Sequence, residues 1–112
     1  MNGPGARSVA ALVHVRVTGT KYVITLFGER RPSDRGHEGA GQFWDDVWAF
    51  NVESHKSSKV EVKGDGGELP VSRGWFDADS WMDQEKGKWK ILMQGGLNDE
   101  NKRLGDVWVL EL

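Results

Sequence analysis

Cysteine is absent from the 112 residues, so the chain has neither a disulfide framework nor a thiolate metal site. That absence fits a reducing, intracellular compartment, cytoplasmic or nuclear. No run approaches the roughly 20 apolar residues that span a bilayer. Met1-Asn2-Gly3-Pro4-Gly5-Ala6-Arg7 lacks a basic region followed by an apolar one, so neither a membrane partner nor a signal peptide is expected. Charge of one sign is not in large excess. Fifteen Lys and Arg stand against 17 Asp and Glu, mixed along the chain, for a net charge of −2. A dominant phosphate-binding surface, and with it a nucleic-acid partner, is not expected. Helical periodicity is nowhere sustained; residues 78–88 come nearest, and Gly87 with no apolar stripe weakens them.

Chemical constellations are scarce too. His14, His37 and His55 have no metal-ligand spacing with one another or with nearby carboxylates. Asp77-Ala78-Asp79 and Asn98-Asp99-Glu100-Asn101 lack the spacing of a calcium loop. Gly64-Asp65-Gly66-Gly67 is acidic and precedes no helix, so it is not a phosphate cradle. No serine sits in a nucleophile elbow. No catalytic residue, metal or cofactor is expected from this chain.

What the sequence does hold is six Trp, fifteen Gly and an internal repeat. Trp brings large buried area and Gly brings backbone freedom, which together suit short strands and tight turns. Asp46-Val47-Trp48 recurs as Asp106-Val107-Trp108. Ahead of each lies an apolar run ending in glycine, at Gly28 and at Gly95-Gly96. Ahead of those lie Pro4-Gly5-Ala6-Arg7 and Pro70-Val71-Ser72-Arg73. The offsets are 66 for the arginines, 67 from Gly28 to Gly95 and 60 for the tryptophans. The first copy therefore carries seven extra residues between Gly28 and Asp46, and 29–45 reads as a long loop. Insertions of this kind map to loops, often on a binding face.

Alternation places strands at 7–18, 21–27, 46–53 and 58–63, the last exposed and suited to a sheet edge. The Gly-rich linker 64–70 separates a first unit, 1–63, from a second, 71–112. The second has strands at 73–82, 88–94 and 105–112. Its fourth strand is missing, so the edge of the third is expected to be unpaired.

A four-stranded antiparallel unit with glycines closing the second strand resembles the kelch repeat. Gly28, Gly95-Gly96, the two Asp-Val-Trp segments and the Pro-x-x-Arg openings carry that resemblance over essentially the whole chain. It departs from the family at Gly28-Glu29, where two glycines are usual, and at Phe50 and Leu110, where Tyr is usual. The Trp usual near Ser57 is absent as well. The resemblance implies an all-β fold of antiparallel four-stranded kelch blades from a β-propeller, one complete and one incomplete. Trp48 and Trp108 are then expected to be largely buried in the wedge between blades. Fewer than two blades cannot close a propeller of four to eight, so further blades of a longer chain or self-association are expected.

In that arrangement 29–45, 64–70 and 97–105 line one rim, which in kelch relatives often holds the partner or ligand. The candidate partner-binding residues from the long loop are Arg30, Arg31, Asp34, Arg35, His37, Glu38 and Trp44. Those from the second loop are Asn98, Asp99, Lys102 and Arg103, with Glu100 beside them. The alternative is a solvated loop without a specific role. Arg7 and Arg73 fall at the start of the innermost strand, facing the central channel. There each is able to bind a carboxylate through two hydrogen bonds. Because the pair recurs, hydrogen bonding to backbone carbonyls between blades is favoured. The leading function is a non-enzymatic module that binds a protein partner through its rim. The competing one is part of a ligand-binding or enzymatic propeller, oxidase-like or specifier-like, with its catalytic residues outside this chain.

Overall fold

The computed structural model describes residues 3–31, 34–35, 41–64 and 68–111. They are all-β. β1 (Ala11–Val17) and β2 (Thr20–Leu26) pair through the two-residue turn Thr18-Gly19. Both turn residues have positive φ, 49° and 83°, the backbone that matches a hairpin's twist. β3 (Glu29–Arg31) and β4 (Gln42–Phe43) form a small ribbon. β5 (Val47–Asn51) and β6 (Ser57–Val60) follow, then the two-residue β7 (Lys63–Gly64). β8 (Asp77–Asp83), β9 (Lys88–Gln94) and β10 (Val107–Glu111) complete the order. One four-stranded sheet runs β1-β2-β5-β6 and the other β8-β9-β10-β7, every pairing antiparallel. Among the described residues no helix is long and apolar enough to cross a membrane.

Three expectations about the elements need correction. The edge of β10 is not unpaired: Leu110 pairs with Gly64 and Glu111 with Lys63. The segment read as one edge strand, 58–63, breaks after Val60. It buries Val62 in the core and then crosses to the second sheet. The long connection is not a plain loop, because its two ends pair as β3 and β4 and bury Phe43.

The register of the repeat is corrected as well. Ala11 pairs with Leu26, and its counterpart Asp77 pairs with Gln94. Phe27-Gly28 therefore corresponds to Gly95-Gly96, one position from the glycine-to-glycine alignment. All four have positive φ: 51°, 99°, 70° and 105° in chain order. A Cβ on Gly28 would lie 2.7 Å from Ala10 Cβ, and one on Gly96 2.7 Å from the Gly74 carbonyl oxygen. The inner strand's approach leaves no room for a side chain at either place. From these glycines, Asp46 is 18 positions on and Asp106 only 10, so the insertion is eight residues.

The sheets stack face to face. Val13, Val15, Ile24, Leu26, Val47 and Ala49 come from the first, and Ile91, Met93 and Leu110 from the second. Their alternation with exposed neighbours is the period-two pattern of a strand buried on one side. Phe27, held in the left-handed region, lays its ring 5.9 Å from Phe76 across the seam. Backbone bonds stitch the sheets where the chain enters its inner strands: Gly28 N–H to the Arg73 carbonyl, and Trp75 N–H to the Val9 carbonyl.

Candidate functional site

The repeated Arg and Asp-Val-Trp residues form two copies of one clasp. Arg7 donates to Asp46 Oδ1 at 2.6 Å and Oδ2 at 3.2 Å; Arg73 donates to Asp106 at 2.6 and 3.0 Å. Each arginine also donates to two backbone carbonyls of its own repeat, Gly5 and Phe27 for Arg7, Val71 and Gly95 for Arg73. The indole N–H groups of Trp48 and Trp108 reach the same carboxylates, at 2.8 and 2.7 Å. Burial works to raise the Asp46 carboxyl, but bonding from Arg7 and Trp48 outweighs it and holds the group below its ordinary 3.8. Hydrogen bonding from Arg73 outweighs partial burial at Asp106 and, helped by Trp108, lowers it to about 2.

Membership of the clasp explains where its residues sit. Arg73 is 0% exposed and Arg7 nearly as buried, so neither presents a guanidinium to a channel. Their carbonyl bonds run within a repeat rather than between repeats. Trp48 and Trp108 are partly buried at matching places in the two repeats. Nearest-neighbour spacing hides the clasp, because Arg7 and Asp46 are 39 positions apart. The joint recurrence of Arg and Asp was the available signal.

The long connection and the 97–105 loop lie at the clasp end of the sheets. Arg30 and Arg31 are exposed on β3, and Asp34 and Arg35 are exposed beyond it. His37 and Glu38 lie outside the described residues. Trp44 is half-buried and held from several sides. Its indole N–H donates to the Ala6 carbonyl, and the guanidiniums of Arg7 and Arg30 stand 4.7 and 4.5 Å from its ring. Cation–π contacts of this kind tie the ribbon to the segment before β1. Phe43 meets Trp75 edge-on at 6.2 Å between centroids.

In the second loop Asn98 holds the turn together, its side-chain oxygen accepting from the Glu100 and Lys102 N–H groups. Asp99 is exposed and reaches an open cleft of about 780 Å³ that Val62 and Pro70 also line. Lys102 is exposed and lies 3.6 Å from the exposed Glu100, a contact that contributes little. Arg103 lines a second cleft, of about 550 Å³, with Trp75, Leu97 and Asn101.

Trp75 is the rim residue that sequence reasoning missed. It is 55% exposed at φ 54°, unusual for a large side chain. Its repeat counterpart, 66 positions earlier, is Val9, also at positive φ. A Trp replacing Val at an entry point outside the strand was the signal. Among the described residues no group of three or more His, Asp or Glu is placed to hold a metal. No protein-family model matches this chain.

Proposed function

We propose that the chain is a segment of a kelch-type propeller acting inside the cell as a non-enzymatic module that binds a protein partner at its clasp end. One observation carries this reading. Exposed Arg103 lines a cleft with an exposed Trp75, which a buried Phe43 backs, and exposed Arg30 and Arg31 lie on the β3 strand of the ribbon that carries Phe43. Arg and Trp are the side chains that most often dominate interface energy. The platform is set in advance by Trp44, the ribbon and the Asn98 turn, so little ordering cost falls on binding. The clasp carboxylates, Asp46 and Asp106, are occupied by arginine and indole.

Affinity capture with the immobilised full chain tests the proposal. A partner held by the native chain should bind Trp75→Ala with Arg103→Glu at least about tenfold more weakly, roughly 1.4 kcal/mol. Lys86→Ala, in the turn at the opposite end of the second sheet, should leave it unchanged. Equal binding by all three proteins contradicts the rim as the contact element.

A further inference from the structure

Each sheet turns one face to the core and leaves the other outward. The two buried faces are not the same face of the repeat. Counterparts of the buried Val13 and Val15 are Asp79 and Trp81, which lie on the outward side of the second sheet. The core contact is thus front to back, and one face of each kind remains uncovered outside the β1–β8 seam, where the His14 ring stands 5.2 Å from Trp89 and Lys21 and Asp79 line one cleft.

These uncovered faces differ in charge. On the first sheet, Arg16, Lys21 and Lys59 lie among Leu12, Val23 and Phe50, and no carboxylate of the described strands shares their side. Leu12 is 68% exposed. On the second sheet, Asp77 and Asp79 on β8 lie beside Trp81, Leu92 and Val107, which are 40%, 40% and 57% exposed. Lys90 there is held by Asp83 at 3.0 Å and Glu111 at 3.6 Å. Lys88, at the far end of β9, is the remaining cation of β8, β9 and β10 on that side, and Lys63 of β7 pairs with Glu111 there. The inner strand of the second sheet is left acidic and its surroundings apolar.

We propose that a second copy of this chain docks here, its basic first-sheet face laid on the acidic second-sheet face of the copy before it. The join repeats the stacking already present between the sheets of one chain. Within the chain the Ser80 hydroxyl donates to the His14 carbonyl where β8 meets β1. The same register between copies sets Asp79 near His14 and Arg16 of the next copy. Because the faces differ, the contact is heterologous, and it closes a ring or runs on as a filament. The rim stays clear of the join, so assembly and rim binding are separable.

Sedimentation velocity on the full chain, with Asp77→Lys/Asp79→Lys and Arg16→Glu/Lys21→Glu as folded surface variants, tests the join. Native protein should sediment as a multiple of the chain mass and shift toward single chains as salt rises. Each variant alone should sediment as a single chain, with a native circular dichroism spectrum. An equimolar mixture restores opposite charges wherever the two variants alternate and should reassociate into species larger than a single chain. Native protein that is a single chain throughout, as when other sequence covers these faces, overturns the proposal. So does a native mass in either variant, or a mixture that fails to reassociate.

Discussion

Arg7 and Asp46 are the first repeat's version of a contact that Arg73 and Asp106 make again, with the shorter bond 2.6 Å in both. In the first repeat both partners are buried. Removing one partner of a buried pair leaves the other charge uncompensated. Asp46→Ala also strands the Trp48 N–H. It should cost about 3–5 kcal/mol in urea unfolding, and a loss under about 1 kcal/mol would reject the clasp as a structural element.

The clasp carboxylates also set a pH dependence. Both folded values lie below the ordinary 3.8, so the contribution is present above that pH and lost as pH falls through the folded value. For Asp106 the window runs from about 4 down to about 2. The urea midpoint should fall across it, and Asp106→Asn should flatten part of that fall. An unchanged pH profile in the variant would contradict the assignment.

The strands were legible because alternation in segments such as Leu12-Val13-His14-Val15 directly reports a one-sided burial. The Asp-Val-Trp copies marked the third strand of each unit for the same reason. Phe27 misled the register: its ring serves the core while its backbone takes a glycine-like φ, so glycine was matched to glycine. β7 is two residues long, too short for any periodicity. Trp44 read as a binding residue by type, yet it packs on Gly5 and its neighbour Phe43 on Trp75, both far away in sequence. No local pattern records such a contact.

Gly28→Ala and Gly96→Ala should each destabilise by about 1–3 kcal/mol, because a positive φ and a blocked Cβ act together. Gly3→Ala serves as a control, since a Cβ there meets nothing within 4 Å. Equal midpoints for all three variants would remove the close-approach argument.

The ribbon should be part of the folded body. Phe43→Ala should cost about 3–5 kcal/mol, as for a buried aromatic. Excising 30–44 should therefore destabilise the chain as well as remove Arg30 and Arg31. Unchanged stability after excision would return the whole segment to a dispensable loop.

Two copies of one clasped unit stack into a single body, stitched at the end where the rim is displayed. Native-state hydrogen exchange at the Gly28 and Trp75 amides is the decisive measurement, since these bond across the repeats to Arg73 and Val9. Both should open with the same free energy as the Ile24 and Ile91 amides, in one cooperative unit. Exchange at loop rates from Gly28 and Trp75, with Ile24 and Ile91 still protected, would contradict a single stitched body.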